Sequence, residues 1–104
     1  MKKIVIYQKA GEFAENKDVA RKWREEIILP ELAKNQEVEV DFINVTGVTQ
    51  SFVHALVAEA IRRYGDSAFD NLIFSNANGV VREIIRTVYH YMQESLRDTD
   101  ENRS

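Results

Sequence analysis

The chain has no cysteine, which excludes disulfide staples, thiolate nucleophiles and cysteine-held metals. It has one proline, Pro30, and only Gly11, Gly47, Gly65 and Gly79 as glycines, all far apart. A phosphate loop needs glycines clustered between a strand and a helix, so none is present. No apolar run approaches the roughly 18 residues that a membrane span requires. Met1-Lys2-Lys3-Ile4 opens a strand rather than a secretion signal, and the cytoplasm is the expected compartment. Positive charge is not in excess either. Lys and Arg number 14 against 17 Asp and Glu, a formal net charge of −3 with a pI near 5.4. Arg62 and Arg63, the only adjacent arginines, are read as facing opposite sides of a helix turn, which leaves no clustered basic surface for a nucleic acid.

What is there suffices for one ordinary domain. With 104 residues and 44% hydrophobic content the chain can bury a single core, expected over residues 4–94. The last ten, 95–104, are mostly charged and polar and are expected to fray. Periodicity gives three strand–helix pairs. Ile4-Val5-Ile6-Tyr7 reads as the first strand, left through a turn at Gly11. A helix follows from about Asp18, with Val19, Trp23 and Ile27 on one face and Asn16 or Asp18 as its cap. Pro30 should kink that helix or start a separate last turn, Glu31 to Asn35. Glu37 to Ile43 is the second strand. The helix after it carries Val53, Leu56, Val57, Ala60, Ile61 and Tyr64 on its apolar stripe and stops at Gly65. Leu72 to Ser75 is the third strand, and Val81, Ile84, Ile85, Val88 and Met92 face inward from the third helix.

This order, βαβαβα, predicts an α/β fold with a mainly parallel sheet and right-handed crossovers. Glu37, Glu39 and Asp41 alternate with apolar residues, so one sheet face is expected to be wet and the helices to lie mostly on the other. Helices on one side require the strands in sequential order, unlike a doubly wound nucleotide fold.

Few groups suggest chemistry. His54 and His90 lie on different helices with no nucleophile and carboxylate at a suggestive spacing; Ser51 and His54 share a helix face without a third group. The first strand ends Tyr7-Gln8-Lys9 and lacks the acidic residues of a divalent-metal site. Neither catalysis, a metal nor a cofactor is expected. Ser51 stands at the start of the second helix, where backbone N–H groups have no partner within the helix. It is either an N-cap, a role open equally to Thr49, or a site for regulatory phosphorylation. The loops Gly47–Ser51 and Ser75–Gly79 follow parallel strands and should share one rim of small polar residues, suited to a ligand or partner.

These segments resemble a STAS domain, the fold of bacterial anti-sigma factor antagonists, and most closely its divergent STAS-like branch of unknown function. Gly11-Glu12-Phe13 is similar to the turn ahead of the family's first helix. Glu39 to Val48 resembles the strand and turn that precede its phosphorylation loop. Thr49-Gln50-Ser51-Phe52 stands where ordinary STAS domains carry Asp-Ser-Ser-Gly, with Ser51 on the serine their kinase modifies. Ser75-Asn76-Ala77-Asn78-Gly79-Val80-Val81 resembles the loop after the next strand. The aspartate and glycine of the family loop are Thr49 and Phe52 here. The resemblance implies a non-catalytic switch, phosphorylated at Ser51, that docks a serine kinase of the histidine-kinase-type ATPase fold through Gly47, Thr49, Gln50, Ser51, Phe52, Asn76, Asn78 and Gly79. It also implies an N-terminal strand for which no segment is read here, so one sheet edge is expected to be open or filled by a partner. The alternatives are a small-ligand or nucleotide sensor on the same rim, or an assembly subunit that self-associates, for instance as a homodimer, through the open edge or the wet sheet face.

Overall fold

A computed structural model describes the backbone as far as Arg103 and the side chains as far as Glu94; the side chains of the tail expected to fray, 95–104, lie outside the described residues. Strand β1 is Lys2–Val5, which begins and ends two residues earlier than its apolar pattern predicts. Ile6 turns into the core and begins a short helix, α1 (Ile6–Ala10), whose Tyr7, Gln8 and Lys9 are exposed. Gly11 ends it at φ +77°, a left-handed conformation that glycine adopts without steric cost. The segment expected to be only a turn then forms β2 (Phe13–Ala14).

Asn16 settles the choice of cap for α2 (Lys17–Trp23): its Oδ1 accepts from the N–H groups of Asp18 at 2.9 Å and Val19 at 3.3 Å. A π-helical turn, Arg24–Ile28, links α2 to α3 (Leu29–Ala33). Pro30 has no N–H for the carbonyl four residues back, and its ring would press on that carbonyl. The widened turn just ahead of it, in which the Leu29 N–H reaches Arg24 O, absorbs the conflict. The extra residue also rotates the buried stripe. Ala20, Trp23, Ile28, Leu29 and Leu32 are buried, while Val19 and Ile27, expected to point inward, are half-buried.

The remaining elements are β3 (Val38–Asp41), β4 (Gly47–Val48), α4 (Gln50–Tyr64), α5 (Asp66–Asn71), β5 (Leu72–Ser75) and α6 (Gly79–Arg103). Gly65, at φ +55°, stops α4 where expected. The short α5 has no apolar period to announce it and buries only Ala68. The main sheet has the parallel order β1-β3-β5, the sequential order that one-sided helices require. Lys3 pairs with Glu39 and Glu39 with Ile73. A second, two-stranded parallel sheet joins β2 to β4 and ties the starts of α2 and α4 side by side. The architecture is therefore α/β with helices mostly on one sheet face.

That face supplies Ile4, Val38, Val40 and Leu72 to a single core, which α4 enters with Phe52, Val53, Leu56, Val57, Ala60 and Ile61 and α6 with Val81, Ile85, Val88 and Met92. Phe42, Phe74, Tyr89 and Phe69 form a chain of tilted and edge-on rings at one side of it. The Tyr89 hydroxyl is buried there without a hydrogen-bond partner among the described residues, and burial pushes its pKa up. An unsatisfied buried hydroxyl costs about 1–3 kcal/mol. Tyr89→Phe keeps the ring and removes the cost, so it is expected to raise the urea midpoint of unfolding; a drop of more than about 0.5 kcal/mol would show that the hydroxyl is satisfied.

The opposite face is polar, but not uniformly wet. Glu37 is exposed and Glu39 half-buried, whereas Asp41, expected on the solvated side, is buried. Three strands meet over it: Lys3 of β1 lies 3.3 Å from its Oδ2, and Asn76, just after β5, donates to its Oδ1 at 2.9 Å. Alternation placed Asp41 on the correct face and said nothing of what folds over it.

Candidate functional site

The turns after β3 and β5 lie against each other. Asp41 Oδ1 also accepts from the Ile43 N–H at 2.9 Å, which starts the turn through Asn44. Asn44 (φ +65°) and Asn76 (φ +55°) both take the left-handed conformation that asparagine tolerates better than most residues. Asn78 then reaches back across the gap. Its Nδ2 donates to Thr46 O at 3.1 Å and Val45 O at 3.4 Å, while its Oδ1 accepts from the Val81 N–H at 2.8 Å and caps α6. The Asn76–Gly79 turn is thus latched onto the strand-to-helix connection that leads to Ser51. Asn76, Asn78 and Gly79 are exposed, as expected of a shared rim.

The two hydroxyls that open α4 divide their roles. Thr49 is the N-cap: its Oγ1 accepts from the Phe52 N–H at 3.0 Å. Ser51 lies in the first turn, exposed, and its hydroxyl is in no side-chain hydrogen bond among the described residues. Gln50 is exposed beside it. Two members of the expected surface do not belong to it. Phe52 is fully buried, because helical spacing puts it on the same inward face as Leu56. Gly47 is buried in the β2–β4 pair, with the Phe13 ring 2.9 Å from where a Cβ would stand. Both residues hold the site in place from below.

A groove of about 680 Å³ opens beside Ser51 and runs along α4 between α2 and α6. Ser51 and His54 line it together, as their spacing predicts. Lys17 and Arg21 line it from α2, Arg24 from the π-helical turn that follows, and Arg62 and Arg63 from the last turn of α4. The expectation that the two arginines face apart and leave no basic cluster is corrected. The groove is wide enough to take both side chains, and packing of α2 against α4 brings the other cations to it. The spacing of Lys17, Arg21 and Arg24, one side of a helix, was the available signal. Ion pairs join Arg21 to Asp18 at 3.0 Å, Arg24 to Glu25 at 3.1 Å and Arg63 to Glu59 at 3.8 Å.

Burial, then the charge of Arg62, lowers the His54 pKa from its ordinary 6.5. Unfolded His54 takes up a proton below about pH 6.5 that the folded groove resists, so stability should fall as pH drops from 7 to 5. His54→Gln is expected to flatten that part of the stability–pH curve; an unchanged slope would mean that the imidazole feels neither burial nor Arg62. No carboxylate hydrogen-bonds His54 among the described residues, and His90 pairs with Glu94 at 3.4 Å on another helix. Among the described residues no group of three or more His, Asp or Glu side chains is placed to hold a metal ion. No helix among them is long and apolar enough to cross a membrane.

A family model described as "STAS-like domain of unknown function (DUF4325)" matches residues 20–82, more than half of the chain, from the middle of α2 to the start of α6. No curated protein and no solved structure matches it.

Proposed function

The chain belongs to the STAS-like domain family of unknown function, and on that premise we propose that it is a non-catalytic regulatory module that docks a protein partner through the rim around Ser51. The observation that carries this reading is the division of labour at the start of α4. Thr49 caps the helix, so the Ser51 hydroxyl is exposed and has no structural duty that modification would disrupt. A phosphoryl group there adds about −1.5 to −2 charge at a helix N-terminus, which the helix dipole favours. The fold would stand while the rim changed sign. The partner is a serine kinase of the histidine-kinase-type ATPase fold, as the resemblance of Thr49–Phe52 to the phosphorylation loop of anti-sigma factor antagonists implies.

The test pairs such a kinase with wild type, Ser51→Ala and Ser51→Asp. Intact-mass measurement is expected to show one added phosphoryl group on wild type and none on Ser51→Ala. Ser51→Asp should bind the kinase at least about tenfold more weakly, or about 1.4 kcal/mol. Equal affinity of Ser51→Asp and wild type would rule out the switch, and retained binding by Ser51→Arg would remove the rim as the docking site.

A further inference from the structure

The groove along α4 has features that the rim around Ser51 does not use. Its floor is the outer face of α4, where Ala55 and Ala58 stand between Ser51 and Arg62. Small side chains there leave a trench between α2 on one side and Thr87 and Tyr91 of α6 on the other. Arg62 is eleven positions along α4 from Ser51, so at about 1.5 Å per residue the trench is roughly 16 Å long. Its charges are unevenly satisfied. Arg21, Arg24 and Arg63 have carboxylate partners, whereas Lys17 and Arg62 have no ion pair among the described residues. Because β2 and β4 are parallel neighbours, α2 and α4 start together, which puts Lys17 at the Ser51 end. Arg62 is at the other. Arg24 Nε adds a buried N–H in the trench wall that has no partner among the described residues.

We propose that this trench binds an extended acidic segment of a protein partner, with one carboxylate at Lys17, a second at Arg62 and an apolar side chain between them over Ala55 and Ala58. The spacing selects this occupant. A compact anion reaches one free cation and leaves the other, while five or six extended residues at about 3.3 Å each bridge both. A nucleic-acid strand carries a charge at every residue and would meet Glu25 and Glu59, which also line the trench. The exposed Tyr91 ring gives the apolar residue a wall. The proposal deepens the reading of the chain as an interaction module, and does not require that Ser51 be phosphorylated.

The probe is a capped hexapeptide with glutamate at both ends and leucine in the middle, titrated into the ¹⁵N-labelled full chain. Shifted amides are expected to cluster at Lys17–Arg24, Ser51–Arg62 and Thr87–Tyr91. Lys17→Glu with Arg62→Glu should weaken binding at least about tenfold, and Lys9→Glu with Lys22→Glu by less than about twofold. Shifts that are absent, scattered or indifferent to the first pair would overturn the proposal. So would tighter binding of a short single-stranded RNA or of inorganic pyrophosphate at the same residues. Ser51→Ala keeps the trench and should keep the peptide. Peptide binding without kinase transfer to Ser51 would uphold the trench and reject the switch; transfer without peptide binding would do the reverse.

Discussion

Phe52→Ala is expected to cost about 3–5 kcal/mol in denaturant unfolding, the usual range for emptying a buried phenylalanine site. The ring is wholly inside, on the α4 face that also buries Leu56, and its backbone N–H is the group that Thr49 caps. Truncation therefore loosens the core and the first turn of α4 together, next to the Ser51 hydroxyl. Against a total of about 5–15 kcal/mol for a domain of this size, that loss leaves a marginal fold. Phe52→Leu refills much of the volume and should lose less than about 1.5 kcal/mol. A cost below about 1.5 kcal/mol for the alanine variant would mean that the site collapses around the gap. Phe52→Leu is also expected to leave kinase affinity unchanged, since the side chain offers a partner no surface; a clear loss would return Phe52 to the docking face.

Asp41→Ala is the second large effect, at about 3 kcal/mol. The carboxylate accepts from the Ile43 N–H and from Asn76 and pairs with Lys3, and hydrogen bonds to a charged group are worth about 1.5–3 kcal/mol each. Ile43, Asn76 and Lys3 are all exposed residues whose donors can regain water, so the sum is discounted. The hydrogen bond from Asn76 is the main cause that holds the Asp41 pKa below its ordinary 3.8; burial opposes it, and Ile43 and Lys3 add to it. The unfolded chain binds this proton first as pH falls. Stability from Asp41 is therefore complete above about pH 5 and is lost below 3.8, down through the folded pKa. Wild type should lose stability across that window, and Asp41→Ala should show less acid dependence there. Identical acid slopes would indicate that the carboxylate is already protonated or solvated in the folded state. Because both rim turns hang on Asp41, the variant should also shift the amide signals of Asn44–Thr46 and Asn76–Asn78.

The parts of the fold carried by repeated side-chain periods were legible. Val53, Leu56, Val57, Ala60 and Ile61 mark α4, Val81, Ile85, Val88 and Met92 mark α6, and both stripes are buried. Alternation in β3 and three strand–helix pairs were enough for a parallel sheet in sequential order. Elements too short to hold a period were not legible. The helix α1, the β2–β4 pair and α5 are each fixed by what they touch: Ile6 drawn into the core, Glu12 O accepting from Thr46 N–H at 2.7 Å, Ala68 buried under α5. The π-helical turn follows from Pro30 in hindsight, but a kink, a break and a widened turn all answer the same missing N–H.

At the site the limits are of the same kind. Ser51 and Thr49 were equal candidates for the cap, since a hydroxyl suits either position; only the geometry of the Phe52 N–H assigns it to Thr49 and leaves Ser51 free. Phe52 was expected on the docking surface, from the resemblance of Thr49–Phe52 to the family loop, and proved to be core. The basic groove draws on two helices whose sequences never meet.

By itself, then, the amino-acid sequence determined an α/β fold without cysteine chemistry, with three parallel strand–helix units and a polar serine-bearing connection after the second strand, because local periods and hydrogen-bonding appetites are properties of neighbouring residues. Tertiary structure alone decided which hydroxyl is spent on the helix, which carboxylate is buried and which cations share a groove. Those outcomes depend on contacts between residues some 30 positions apart, such as Arg24 with Ala55 and Asp41 with Asn76, and no local pattern encodes such a distance.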